Sequence, residues 1–195
     1  MRRMTWNKRK AKIEIFTGIY MVIFLLILVS VQLQMRIFMT TSTYMEDALA
    51  ASNLASAVID VREYGMTHIV KIKSPDDAFE LYREALRLNL SLDDNWESSQ
   101  KNLIYGQVEI LKYEIYNVEK ENITIYSYGT EGECVRTIPN GLGSVYTPDG
   151  VLVESTSVYS KIRFPVKGIF GVEMDARKDK TVDIVSNLVN ETGGA

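Results

Sequence analysis

The sequence predicts an α+β fold: a long N-terminal transmembrane helix that continues outside the membrane, a second helix, and then an antiparallel β-sheet. Three observations lead to this prediction. Residues 15–35 carry no charged side chain, residues 74–89 combine a helix start signal with helical spacing of apolar residues, and apolar residues recur with a period of two after Gly106.

The charge-free stretch is long enough to cross a bilayer. Its 21 residues would form about 31 Å of helix, which matches a hydrocarbon core of about 30 Å. A signal-peptide core is shorter, about 7–15 residues, and ends at a small-residue cleavage site. The nearest such pattern, Ala48-Leu49-Ala50, lies well beyond the apolar stretch. We therefore expect a retained transmembrane helix over residues 13–39.

The charge distribution predicts how this helix is oriented. Six basic residues and no acidic residue precede the apolar stretch: Arg2, Arg3, Lys8, Arg9, Lys10 and Lys12. Removing these six leaves 16 basic and 25 acidic residues in the rest of the chain, a net charge of −9. The basic residues favour a cytoplasmic end at residues 1–12 and an extracytoplasmic α+β domain at residues 40–190, followed by a flexible tail at 191–195. The expected partner is a lipid bilayer, and the acidic domain argues against nucleic acid.

Helical character continues beyond the membrane segment. No proline interrupts residues 40–64, and the first glycine after the charge-free stretch is Gly65. We expect Gly65 to cap the helix at its C-terminus. Small residues of this stretch, which we expect to share a packing face, are Ala48, Ala51, Ser52 and Ala55. Small side chains let another element approach closely. This face could pack on the chain's own domain, and in addition on neighbouring subunits.

The second helix and the sheet follow from local signals. Ser74 and Pro75 are typical of a helix N-cap and first helical position. Alternating apolar residues then predict four to six antiparallel strands. The last two of these strands are expected in residues 168–176 and 180–189, separated by the charged segment 177–180.

The residue inventory offers no catalytic constellation. His68 is the only histidine, so a His pair or a histidine-rich metal site is excluded, and we expect His68 on the surface. Cys134 is the only cysteine, so no internal disulfide can form, and we expect Cys134 to be a small buried apolar residue. We expect no enzyme activity, no metal and no cofactor.

Two segments carry a resemblance to a known family. The start of the apolar helix, Ile13-Glu14-Ile15-Phe16, and the segment Tyr44-Met45-Glu46-Asp47-Ala48-Leu49-Ala50-Ala51 resemble TadE/TadG-like minor pilins (pseudopilins) of the bacterial tight-adherence, or type IVc, pilus. The resemblance implies that Glu14 guides assembly. It also implies partners among other pilin-like subunits or assembly-platform proteins.

Two functions therefore stay open from the sequence. The first is a structural subunit of a bacterial surface pilus or secretion apparatus, in which Glu14 pairs with a cation of a neighbouring subunit. The simpler alternative for Glu14 is an acid among basic neighbours at the membrane interface. The second function is a membrane-anchored extracytoplasmic sensor or ligand-binding domain, which would require a concave pocket in the β-rich half.

Overall fold

The computed structural model describes residues 3–99, 104–168 and 173–184, with side chains described from residue 13 onward. Its helices are α1 (Arg3–Ser56), α2 (Val61–Thr67) and α3 (Pro75–Asn89), and its strands are β1 (Glu109–Glu119), β2 (Asn122–Gly129), β3 (Cys134–Ile138), β4 (Ser157–Lys167) and β5 (Glu173–Asp183). The strands form one antiparallel sheet in the order β3-β2-β1-β4-β5. The predicted α+β architecture is confirmed. The predicted tail, 191–195, lies outside the described residues.

The first helix ends earlier than predicted. It stops at Ser56, and a separate helix, α2, starts after Asp60. The carboxylate of Asp60 accepts hydrogen bonds from the backbone N–H groups of Arg62 and Glu63, which is the geometry of an N-cap. The expectation that Gly65 ends α1 is therefore wrong: Gly65 lies within α2, and the left-handed C-cap residue is His68, with φ 57°.

The helix α3 begins where its sequence signals place it. Ser74 occupies the N-cap position in extended conformation and Pro75 is the first helical residue, although the Ser74 side chain makes no capping hydrogen bond. One face of α3 is buried through Ala78, Tyr82 and Leu86. This face packs against α1 and the sheet.

The predicted division of the last strand pair is wrong. The segment 177–180 does not separate two strands. It is the middle of β5, which pairs with β4 from Lys167↔Glu173 to Ser157↔Asp183. The physical reason is the alternation of its charges. Lys178 and Lys180 lie on one side and pair with Glu46 of α1, whereas Asp179, on the other side, pairs with Lys161.

Two apolar cores lie on opposite faces of the sheet. The larger core lies between the sheet and the helices; its largest fully buried members include Met45, Leu49, Tyr82, Leu86, Tyr113 and Ile162. The smaller core comprises Tyr116, Ile123, Ile125, Val153 and Tyr159 on the other face, packed with Val118, Ile138 and Val145. The helices α1 and α3 are thus attached to the sheet through a continuous apolar layer.

Candidate functional site

The second half of α1 forms a long junction with the domain. We define the junction as the contact of residues 34–56 with α3, β4 and β5. At its start, the side-chain amide of Gln34 donates a 3.0 Å hydrogen bond to the carbonyl of Lys167. Further along, the carboxylate of Glu46 forms ion pairs with Lys178 at 2.9 Å and with Lys180 at 2.7 Å. Lys167 is the last residue of β4 and pairs with Glu173, the first residue of β5, whereas Lys178 and Lys180 lie further along β5. The helix α1 and the strand β5 therefore run side by side.

The two lysines change the acidity of Glu46. Hydrogen bonds from Lys180 and Lys178, together with their positive charges, lower the pKa of Glu46 from 4.5 to about 2. The carboxylate is therefore charged at any physiological pH. It links α1 to an edge strand of the sheet.

The end of the junction is held by buried polar groups. The side-chain amide of Asn53 donates a 2.9 Å hydrogen bond to the carbonyl of Lys180, and Asn53 has no exposed surface. The amide of Asn89 at the end of α3 donates to the hydroxyl of Ser52 at 3.0 Å. Buried polar groups must be paired to avoid a desolvation cost, so these bonds specify one position of α1 on the domain.

The structure divides the predicted small-residue face in two. Ala48 and Ser52 are buried in the junction, whereas Ala51 and Ala55 are exposed. The apolar side chains that fill the junction, Met45 and Leu49, did not enter the predicted face, although their spacing of four residues is helical. Packing on the chain's own domain thus uses one side of the face and leaves the other side open.

The first half of α1 presents apolar side chains in every direction. From Ile13 to Met35, every large apolar side chain is exposed. The hydroxyls of Thr17 and Ser30 donate to carbonyls one turn earlier in the same helix, so they need no water. By length and composition, this helix is the one candidate membrane span among the described residues. A single-pass membrane protein is consistent with this finding.

The structure describes the position of Glu14 in this half, but it describes only the backbone of five of the six predicted basic residues. Glu14 lies on α1 and is exposed, and it forms no ion pair with a side chain described from Ile13 onward. Of the six basic residues, Arg2 lies outside the described residues. The other five, Arg3, Lys8, Arg9, Lys10 and Lys12, fall on α1, and their side chains lie outside the described part.

An open groove of about 790 Å³ lies on the β-rich half, between α3 and the sheet. The guanidinium of Arg83 lies 5.9 Å from the ring centroid of Phe79 and 5.7 Å from that of Trp96. Trp96 has a φ of 63°, a conformation that costs free energy for a bulky residue. The carboxylate of its loop neighbour Asp93 accepts hydrogen bonds from two backbone N–H groups, which helps to hold this turn.

Charged groups line the rest of this groove. Arg163 forms an ion pair with Glu109 across β4 and β1, and Glu133 and Asp175 contribute two more carboxylates. Aromatic faces beside mixed charges suit a polar ligand with a flat or apolar side. The groove could not be read from the sequence, because its lining comes from six separate segments of the chain.

The single histidine and the single cysteine both lie on the surface. Among the described residues, no group of three or more His, Cys, Asp or Glu side chains is placed to hold a metal ion. His68 is exposed, as predicted. The expectation of a buried Cys134 is wrong: Cys134 is a free, exposed thiol at the start of β3, because this short strand lies at the edge of the sheet.

Comparison with known proteins gives no assignment. No family model, no curated protein and no solved structure matches this chain.

Proposed function

We propose that the chain is a membrane-anchored, pilin-like subunit of a bacterial surface pilus or secretion apparatus, which acts by helix packing and not by catalysis. The observation that carries the proposal is the division of α1: one half exposes apolar side chains all around, and the other half is fixed to the domain by the junction. Such a helix transmits the position of the domain directly to its membrane-spanning part.

The proposed orientation places the basic end in the cytoplasm and the domain outside. The six basic residues before Ile13 support it, since positive charge is retained on the cytoplasmic side. The acidic domain carries no comparable basic segment near the other end of the apolar stretch, where Arg36 is the nearest charge.

Glu14 is the proposed assembly residue. It stands one residue inside the start of the exposed apolar half and has no ion-pair partner among the side chains described from Ile13 onward. In a bundle of packed helices, an unpaired charge is costly, and pairing with a cation of a neighbouring subunit removes this cost. This pairing would set the axial position of one helix against the next.

The test compares Glu14→Ala with Thr17→Ala. Both residues lie on exposed positions of the same helix, and Thr17 bonds only to its own helix. After chemical cross-linking in the producing bacterium, detergent extracts are resolved by size. We expect Glu14→Ala to lose the cross-linked complexes while Thr17→Ala and the wild type keep them.

The folded state of the variants must be checked in the same extracts. The junction begins 20 residues after Glu14 in the chain, so both variants should resist proteolysis like the wild type. Normal complexes in the folded Glu14→Ala variant would remove Glu14 from the proposal. N-terminal sequencing of the mature chain would additionally show whether a pilin-like leader is cleaved.

A second candidate function is a membrane-anchored sensor or ligand-binding domain, which the groove at Trp96 favours. Its test is a titration of the detergent-solubilised chain with soluble cell-wall fragments, monitored by tryptophan fluorescence. Trp96 and Trp6 are the only two tryptophans, so Trp6→Phe isolates the signal of Trp96. A saturable change that is lost in Arg83→Ala would support binding, and no change at millimolar fragment would argue against this ligand class.

A further inference from the structure

We propose that the end of the sheet beside Gln34 rests in the membrane interface, where a small groove between α1 and the β4–β5 pair takes the acyl chain of a phospholipid. The inference rests on the proposed membrane insertion of α1. It concerns the domain itself, which would contact lipid in addition to being anchored by a helix.

The level of the groove follows from the contacts of α1. Gln34 belongs to the charge-free stretch, two residues before Arg36, and it is bonded to the carbonyl of Lys167. Lys167 pairs with Glu173 at one end of β4 and β5. The next anchor, Glu46, lies 12 residues along the helix, or about 18 Å further from the membrane. One end of the sheet thus lies where the apolar stretch of the helix ends.

The groove at this end is mainly apolar. It has a volume of about 350 Å³ and lies between Phe38 on α1 and Phe164, Val166 and Met174 on the strands. Met174 is 46% exposed, although it lies on the face of β5 that is turned towards α1. The groove continues the exposed apolar surface of the helix, so the same hydrocarbon can cover both.

The polar groups around the groove suit a phospholipid headgroup. The ammonium of Lys167 lies 3.9 Å from the ring centroid of Tyr105, a combination with an apolar body and a charged tip. Arg177 and Asp175 also line the groove, and they alternate with Met174 along β5. Arg177 is exposed and forms no ion pair with another described residue, while Asp175 adds one negative charge. Opposite charges side by side match the phosphate and the ammonium of a zwitterionic headgroup.

The single native cysteine makes the test direct. In the variant Cys134→Ser/Met174→Cys, a fluorophore is attached at the groove. The two controls carry it at the native Cys134 and, in Cys134→Ser/Asp183→Cys, at the other end of β5. Asp183 is exposed and lies nine residues from Met174, which is about 30 Å along the strand. The full chain is reconstituted into phosphatidylcholine vesicles that contain a nitroxide-labelled lipid.

We expect the label at position 174 to be quenched by the nitroxide lipid at least three-fold more strongly than either control. Equal quenching at all three positions, in chains that float with the vesicles, would overturn the lipid contact while leaving the anchored subunit intact. Chains that fail to float with the vesicles would contradict the membrane insertion itself, and the inference would fall with it.

Discussion

The hydroxyl of Tyr113 in β1 donates a 2.8 Å hydrogen bond to the hydroxyl of Ser56, the last residue of α1, inside the larger core. The ring of Tyr113 also stacks on Tyr82 of α3, with 4.6 Å between the ring centroids. One side chain therefore links the end of the long helix, the third helix and a central strand. The relative position of these three elements depends on buried bonds that can be removed one at a time.

Replacing Tyr113 by Phe should lower the free energy of unfolding by about 1 kcal/mol, the usual contribution of one buried hydrogen bond. The aromatic stacking remains, so the effect isolates the hydroxyl. Denaturant unfolding of the full chain in detergent micelles measures it. Tyr64→Phe is the matched control, because Tyr64 is exposed, and it should change stability by less than about 0.5 kcal/mol. Equal values for both variants would show that the bond to Ser56 adds nothing.

The side-chain amide of Asn117 in β1 pairs with both backbone groups of Ile72, as the backbone of a neighbouring strand would. Its side-chain oxygen accepts the backbone N–H of Ile72 at 3.0 Å, and its amide donates to the carbonyl of the same residue at 3.2 Å. Both residues are buried. Asn117→Ala leaves two backbone groups without partners, so we expect a loss of about 2–4 kcal/mol in the same unfolding measurement.

The control for this variant is Asn95→Ala, at an exposed position of the loop after α3. It should stay within about 0.5 kcal/mol of the wild type. A loss in Asn117→Ala as small as that of the control would mean that water replaces the side chain.

The ion pairs of Glu46 predict a pH dependence. Because the pKa of Glu46 falls from 4.5 to about 2 on folding, its contribution to stability is complete above about pH 5 and is lost as the pH falls towards 2. Its partial exposure limits this contribution to about 1 kcal/mol or less. Glu46→Gln should therefore lower the melting temperature at pH 7, and its difference from the wild type should shrink as the pH falls from 5 towards 2.

Salt provides the complementary check on Glu46. At 1 M NaCl the Debye length is about 3 Å, so the difference between Glu46→Gln and the wild type at pH 7 should shrink. A difference that is independent of both pH and salt would assign the effect to packing and not to charge.

The sequence predicted the parts of the fold that rest on local chemistry. The start of α3 follows from Ser74 and Pro75, and the antiparallel sheet follows from the period of two in apolar residues after Gly106. The sequence predicts that the charged segment 177–180 separates two strands, which is wrong, because Lys178 and Lys180 pair with Glu46, more than 130 residues away in the chain. Charges that are paired across elements look the same in sequence as charges in a loop.

The short edge strand β3 was not assigned for a related reason. Its five residues are mostly exposed and show no alternation between buried and exposed positions, and β3 lies at the edge of the sheet. The junction was predicted in place but not in detail. Helical spacing allows several overlapping faces on residues 45–56, and only the position of α3 and β5 decides that Met45, Leu49 and Asn53 are buried.

Glycine is required by the backbone at Gly129 but not at Gly65. Gly129, the last residue of β2, has a φ of 143°, and a Cβ there would lie 2.4 Å from the backbone oxygen of Leu111, where β1 bulges. Gly65 lies in the middle of α2 with open space around it.

Gly129→Ala should therefore lower the free energy of unfolding by about 2–4 kcal/mol through strain and overlap. Gly65→Ala should raise it by up to about 1 kcal/mol through helix propensity. Denaturant unfolding of both variants against the wild type measures the two effects. A stabilising Gly65→Ala would agree with the helical position of Gly65 inside α2. A strongly destabilising Gly65→Ala would instead indicate the left-handed C-cap conformation that the sequence predicts. An unchanged free energy of unfolding in Gly129→Ala would show that the backbone of β1 at Leu111 can shift to make room for the Cβ without cost.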